Sequence, residues 1–215
     1  PAPQWPEEVA HQVPDIAISQ FVEACMSFPS GTGLGWDGIH PRALTHLPRS
    51  MMLQIVLCMM AAEVTGEWPP LVGWVVIVLL PKPDGGRRPI GLIPCLPRIW
   101  SRTRRGIAAQ WERVNSREYL YGGAGKGAEV AAWKQAARAE IAARGGKSYA
   151  QGLLDLVKAY ERIPYWILVH EAIRHNYPLW LLRLSIATYK LLRVIRVEQV
   201  SSLTILAIQG ITAGS

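Results

Sequence analysis

The stretch Gln151-Gly-Leu-Leu-Asp-Leu-Val-Lys-Ala-Tyr-Glu-Arg-Ile-Pro164 decides how the chain is interpreted, because it sets one carboxylate within an apolar run. Residues 149–156 predict a strand that carries Asp155, and Pro164 begins a predicted helix that runs to His175. An unpaired carboxylate is costly to bury in such a strand unless a metal or a cation compensates it. The pattern is typical of a metal-dependent phosphoryl-transfer site. The alternative is an Asp155 at a turn, with its side chain in water.

The chain is basic and has the composition of a folded protein. Its 215 residues are 50% hydrophobic, and 23 Lys and Arg against 16 Asp and Glu give a net charge of +7. This balance favours a polyanionic partner, either nucleic acid or an anionic membrane surface. The longest apolar run, residues 71–80, is half the roughly 20 residues that a spanning helix needs, so no membrane span is expected. Three widely spaced cysteines indicate reduced thiols and an intracellular protein, nuclear or cytoplasmic.

The first half of the chain predicts helices followed by a β-hairpin. Helices are expected after Pro14, over residues 41–47 and over residues 49–64, with a glycine-rich loop over residues 30–41. Residues 72–80 and 90–93 predict two strands joined by a tight turn at Asp84-Gly85. A helix from Pro97 aligns Arg98, Arg102 and Arg105 on one face, which suits a phosphate backbone; the alternative is a solvated basic face.

The second half predicts helices over residues 129–143 and 178–192 and strands over residues 194–200 and 203–208. The predicted helix 129–143 has Val130, Trp133, Ala137 and Ile141 on one face. Together with the strand that carries Asp155, these elements predict an α/β (α+β) chain.

Four segments, in this order, resemble the reverse transcriptase domain of the non-LTR retrotransposon and group II intron type. Gly35-Trp-Asp-Gly-Ile-His-Pro41 resembles the G-x-D-G-I segment, and Leu80-Pro-Lys-Pro-Asp-Gly-Gly-Arg-Arg-Pro-Ile90 resembles the fingers hairpin. Leu154-Asp-Leu-Val-Lys-Ala-Tyr-Glu161 resembles polymerase motif A, and Gly210-Ile-Thr-Ala-Gly-Ser215 resembles the start of motif B. The resemblance implies a right-hand polymerase fold with fingers and the first part of the palm. The implied divisions are an N-terminal extension and helix (1–32), a fingers-like subdomain (33–148) and a partial palm (149–215).

The resemblance also implies roles for individual residues. Asp155 would be catalytic and would bind Mg²⁺ (or Mn²⁺) with the backbone carbonyl of Leu156, since hard cations prefer oxygen ligands. Tyr160 would act as a steric gate against the ribose 2′-hydroxyl; the alternative is a core aromatic. Residues with other implied roles are Lys82, Arg88 (or Arg87) and Gly214 for the deoxynucleoside triphosphate, and Arg98, Arg102 and Arg105 for nucleic acid.

The sequence also departs from the family pattern. Ala213 stands where motif B usually has Gln, Glu161 replaces the second Asp of motif A, and the Y/F-x-D-D motif is absent. We therefore expect part of a longer RNA-directed DNA polymerase, with further domains in the parent, that uses an RNA template and a DNA primer but is inactive as this chain. The metal is expected only in the complete polymerase. The alternatives are a non-catalytic nucleic-acid-binding scaffold with a degenerate reverse transcriptase fold, and a basic globular domain with an unrelated role.

Overall fold

The computed structural model describes residues 3–6, 13–123, 125–156 and 158–212 and divides the chain into two compact units. The first unit comprises Pro1–Ala109 with Lys158–Ser215, and the second comprises Gln110–Val157. Helices and a mixed four-stranded sheet make the chain α/β, as predicted. The finer division into fingers and palm stays a prediction.

Helices account for most of the first unit. The α-helices are α1 (Ile18–Met26), α2 (Arg49–Thr65), α3 (Cys95–Asn115, in this unit as far as Ala109), α5 (Tyr165–Arg174) and α6 (Leu179–Tyr189). Short 3₁₀ helices span Pro41–His46, Pro70–Val72 and Tyr160–Arg162. Prolines precede or begin several of these helices. The first N–H groups of a helix have no partner within it, so a proline there loses no hydrogen bond, and its fixed φ already suits the helix. The predicted helices are confirmed, with their ends shifted by a few residues.

A four-stranded sheet belongs to the same unit. Its strands are β1 (Trp74–Pro81), β2 (Arg87–Leu92), β3 (Leu192–Val197) and β4 (Val200–Ser201), in the order β2-β1-β3-β4. Strand β1 pairs antiparallel with β2 and parallel with β3, so the predicted hairpin is confirmed. The strand predicted over residues 203–208 is wrong. Residues 203–208 form only an isolated bridge, between Ile205 and Arg193. The short strand β4 pairs antiparallel with β3 and ends at Ser201.

The core of the first unit lies where α1, α2, α3 and α6 meet. Phe21, Met59, Ile99 and Leu184, one from each helix, are fully buried within one apolar cluster. Burial of each such side chain contributes roughly 1.5–3 kcal/mol. Tyr165, Val169 and Ile186 form a smaller cluster between α5 and α6. The contacts of the larger cluster hold the part of α3 up to Ala109 against α1, α2 and α6.

The second unit contains α4 (Ala128–Arg144), which buries none of its side chains. Trp133 and Ile141, on the apolar face noted from the sequence, are 76% and 71% exposed. The strand predicted over residues 149–156 is wrong, because residues 147–156 have no regular secondary structure. Leu153 and Leu154 are almost fully exposed. A strand is stabilised by neighbouring strands, and this segment pairs with none among the described residues.

No helix within the described ranges is both long enough and apolar enough to cross a membrane.

Candidate functional site

The β1–β2 hairpin presents three cations at one end of the sheet. Lys82 begins the turn, where its N–H donates to the Gly86 carbonyl at 2.8 Å, and Arg87 and Arg88 begin the return strand. The Asp84 carboxylate accepts the Gly86 N–H at 3.0 Å and tightens the turn. All three cationic side chains are exposed, and none forms an ion pair with a described residue. The geometry therefore leaves them available to an anion.

Arg87 and Arg88 are not equivalent within this hairpin. Arg88 is paired with Leu80 and Arg87 with Pro81, and consecutive strand residues point to opposite faces. A ligand on one face of the hairpin therefore meets one of these two arginines. The sequence left open whether Arg88 or Arg87 would contact the triphosphate. The strand register means that the answer depends on which face of the hairpin the ligand occupies.

The arginine row predicted on α3 forms, but two of its members are already held by the chain. Arg98 Nη1 donates to the Gly33 carbonyl at 2.6 Å, and Arg102 Nη1 donates to the Ser27 carbonyl at 3.0 Å. Both guanidiniums also lie over the Phe28 ring, at 5.1 and 4.1 Å from its centroid. Arg105 is exposed and makes no contact of this kind with a described residue. The row is thus a partly ordered basic surface rather than a freely solvated face.

Asp155 and Leu156 lie in the second unit, and both are exposed. The burial argument that pointed to a metal is therefore wrong, because a carboxylate in water needs no compensating cation. The alternative of a solvated Asp155 agrees with the structure. Across the described parts of the chain, no group of three or more His, Cys, Asp or Glu side chains could hold a metal ion. The described residues thus gather no further metal ligands around Asp155, and the metal-binding role of Asp155 and Leu156 stays a prediction.

The segment around Tyr160, which resembles the end of motif A, meets the segment at Gly210, which resembles the start of motif B, in the first unit. The Ile211 N–H donates to the Tyr160 carbonyl at 2.9 Å, and the Gly210 N–H donates to the Ile163 carbonyl at 2.8 Å. Gly210 has a φ of +88°, and a Cβ there would lie 2.6 Å from the Glu161 carbonyl oxygen. Only glycine permits this approach.

Tyr160 itself is 65% exposed, so the alternative of a core aromatic is wrong. Its role as a steric gate stays a prediction. Gly214 and Ala213 lie outside the described residues, and the predicted contact of Gly214 with substrate stays a prediction as well.

Thr212 continues the chain from Gly210 and Ile211 and is buried. Arg193 on β3 donates to its hydroxyl at 3.4 Å and to the Tyr189 carbonyl at 3.3 Å. The segment that leads into Gly214 is therefore attached to both β3 and the turn after Tyr160.

Sequence reasoning missed the role of Asp37. Its carboxylate accepts the N–H of Cys95, the first residue of α3, at 2.7 Å, which ties the glycine-rich loop to that helix. Neighbouring Trp36 stacks on Trp74 of β1, with ring centroids 4.5 Å apart, and donates to the Val72 carbonyl at 2.7 Å. The G-x-D-G-I segment of this chain thus connects α3 to β1. The signal available in the sequence was an Asp in a glycine-rich loop, because a carboxylate of that kind often accepts the N–H of a helix start such as Cys95.

Sequence reasoning also missed the buried pair of Glu63 and Arg104. Arg104 donates from Nε and Nη2 to the two carboxylate oxygens of Glu63, and Trp100 Nε1 donates to the same group at 2.6 Å. Glu63 is the lone acidic residue of a mostly apolar helix, which was the one sign that it has a partner. The pair joins α2 to α3, and both donors of Arg104 that reach Glu63 are thereby occupied.

In comparisons with known proteins, no family model matched the chain and no curated protein matched it.

Proposed function

We propose that this chain is part of an RNA-directed DNA polymerase of the non-LTR retrotransposon or group II intron type. In the full-length parent it would take part in template-directed nucleotidyl transfer with an RNA template, a DNA primer and deoxynucleoside triphosphates. The observation that carries the proposal is the backbone contact between Tyr160–Ile163 and Gly210–Ile211. These two segments were assigned to one substrate site from their resemblance to motifs A and B alone, and about fifty residues of chain separate them.

The form of this contact adds support. Hydrogen bonds at 2.8 and 2.9 Å join the carbonyls of Ile163 and Tyr160 to the N–H groups of Gly210 and Ile211. A side chain at residue 210 would separate the two segments, because its Cβ would meet the Glu161 backbone. The glycine expected from the motif is thus also the residue that the local geometry requires. A polymerase needs both motifs at one nucleotide site, and this pairing brings their backbones together.

The hairpin cations support a role in phosphate binding. Lys82, Arg87 and Arg88 are exposed on a two-stranded β-hairpin and have no acidic partner among the described residues. Phosphoryl transfer depends on cations that take up charge on the triphosphate, and arginine can do so with two parallel hydrogen bonds. In the proposed function, Lys82 and one of the two arginines contact the incoming triphosphate.

The chain supplies only part of the chemistry that the proposal needs. In this family, several carboxylates would hold divalent metal ions, which would take up charge that develops during phosphoryl transfer. Asp155 is the one carboxylate that the resemblance assigns to this role here, and the described residues gather no others around it. We therefore propose that polymerase activity belongs to the longer parent and that residues 1–215 alone are inactive.

The test is primer extension with Mg²⁺, an RNA template and deoxynucleotides, performed on the chain and on its longer parent. We expect extension by the parent alone and its loss in Asp155→Asn without a change in thermal unfolding. The matched control is Asp15→Asn, which removes an equally exposed carboxylate that has no assigned role. Extension by residues 1–215 alone would contradict the claim that they are inactive. A parent that has a downstream Asp-Asp pair but does not extend primers would refute the polymerase proposal.

A second candidate is a non-catalytic nucleic-acid-binding scaffold. The exposed Asp155 and the Ala213 that replaces the usual Gln both favour it. It predicts that nucleic acid binding weakens steeply with salt while primers are not extended by any form of the protein. Salt-dependent binding without extension by the parent would therefore select this candidate.

A further inference from the structure

A cleft of about 570 Å³ lies within the first unit, between β2, α3 and α6. Its size falls in the range of about 300–1,000 Å³ that small-molecule sites occupy. Helix α3 lines it with Arg98, Ser101, Arg102 and Arg105, and Tyr177 and Tyr189 also belong to its lining. The predicted arginine row is thus one wall of a concave site, which the sequence did not indicate.

The charge of this cleft is not balanced by its own lining. None of the described side chains that line it is acidic, and the remaining arginine of the wall, Arg104, is already paired with Glu63. Among the described residues, Arg98 and Arg102 donate to neutral backbone carbonyls and a serine hydroxyl, and Arg105 has no hydrogen-bond or ion-pair partner there. Burial lowers the pKa of Arg98, and so does the nearby charge of Arg102, whereas Cys95 and the Asp37 carboxylate act in the opposite direction. Asp37 offsets part of this charge, and a polyanion in the cleft would relieve the repulsion between Arg98 and Arg102 as well as the desolvation of Arg98.

The positions of the two bound arginines suggest a built site. Their hydrogen bonds to Gly33 and Ser27 and their contacts with the Phe28 ring fix both guanidiniums before any ligand arrives. Less side-chain entropy is then lost on binding than with freely rotating arginines. Arg105, one helical turn further along the same wall, supplies a third cation that can adjust to the ligand.

The tyrosines add aromatic surface to the lining. Tyr177 is half-buried and packs against the main apolar cluster, and its burial raises the pKa of its hydroxyl to about 12. A basic groove with aromatic rings is the arrangement that binds unpaired nucleotides, since a base can stack only when it has left a duplex. We propose that this cleft binds a single-stranded segment of nucleic acid, with phosphates on Arg98, Arg102 and Arg105 and a base inserted beside the tyrosines. This inference rests on the proposed function for its class of partner.

The experiment compares binding of a fluorescent oligouridylate and of an RNA duplex with the same number of phosphates per strand, using the whole chain and fluorescence anisotropy. The main variant is Ser101→Phe, because Ser101 is exposed, lines the cleft and makes no side-chain hydrogen bond to a described residue. It fills the cleft without changing the charge. We expect roughly tenfold weaker binding of the single strand, and unchanged binding of the duplex.

A second variant tests the phosphate contact and does not depend on how the first one folds. Arg105→Gln should reduce the slope of log K against log salt for the single strand by about 0.7, the value for one lost contact. The matched control is Arg49→Gln, which removes one exposed charge from the same unit outside the cleft and should leave the slope unchanged. Circular dichroism spectra verify that each variant is folded.

Equal affinity for single strand and duplex, or a well-folded Ser101→Phe protein with unchanged affinity, would overturn the proposal. An equal effect of Arg49→Gln and Arg105→Gln would do the same, since it would indicate non-specific attraction. These outcomes differ from failure of the proposed function. Primer extension by the parent can persist without this cleft, and cleft-dependent binding can persist in a parent that extends nothing.

Discussion

The buried pair of Glu63 and Arg104 allows a quantitative prediction about stability. The two side chains are 0% and 4% exposed, and Arg104 also donates to the Pro14 carbonyl at 2.6 Å. The change Arg104→Met keeps most of the apolar volume and removes the partner of a carboxylate that has no access to water. Breaking a buried pair from one side costs about 3–5 kcal/mol, which is a large part of the roughly 5–15 kcal/mol that stabilises a typical domain.

The double variant Glu63→Leu/Arg104→Met separates this cost from the loss of packing. It leaves no buried charge, and its remaining penalty is the Trp100 N–H and the Pro14 carbonyl that lose their partners, about 1–3 kcal/mol each at most. We therefore expect the double variant to be more stable than Arg104→Met. The measurement is urea unfolding followed by circular dichroism, with the free energy of unfolding extrapolated to water.

Arg105→Met serves as the control for this series. It changes the next residue of α3, which is exposed and unpartnered, and should cost less than about 0.5 kcal/mol. A cost below about 1 kcal/mol for Arg104→Met would refute the idea that the pair is closed to water. The single variant Glu63→Leu completes the cycle, and a double variant whose cost equals the sum of Glu63→Leu and Arg104→Met would refute the coupling between Glu63 and Arg104.

Two further predictions concern the motif contact and the buried thiols. Gly210→Ala should destabilise the protein by about 1–3 kcal/mol and expose the Ile211 amide to hydrogen exchange. The control is Gly85→Ala, at a φ of +81° with open space around it, which should leave the Ile211 amide protected. Equal exchange of this amide in both variants would contradict the predicted clash of a Cβ at residue 210 with Glu161. Burial raises the pKa of Cys25 and of Cys95 from 9.0 to about 12, so the folded protein keeps these thiols protonated at a pH where the unfolded chain loses the protons. The resulting contribution to the free energy of unfolding is complete below about pH 9 and is lost as the pH rises towards 12. Mass spectrometry of the native protein treated with iodoacetamide at pH 8 should accordingly find label on half-buried Cys58, with Cys25 and Cys95 modified only after unfolding; rapid labelling of Cys25 would disprove this.

The local elements could be predicted because short-range patterns determine them. Prolines at helix starts, the apolar spacing of α1 and the turn at Asp84-Gly85 act over a few residues, so the structure confirms those helices and the hairpin. The predicted strand around Asp155 failed because a strand depends on a partner distant in sequence. An apolar run cannot by itself show whether that partner exists.

For the candidate site, the sequence by itself determined which residue types are present and in what order: cations in a hairpin turn, arginines spaced along a helix, and glycines at residue 210 and beyond. Tertiary structure alone decided their surroundings. It brought Gly210 against Glu161, closed the arginine row into a cleft that Tyr177 also lines, and left Asp155 in water. The physical reason is that burial and ion pairing depend on which distant segments meet, and that follows from packing of the whole core rather than from any local pattern.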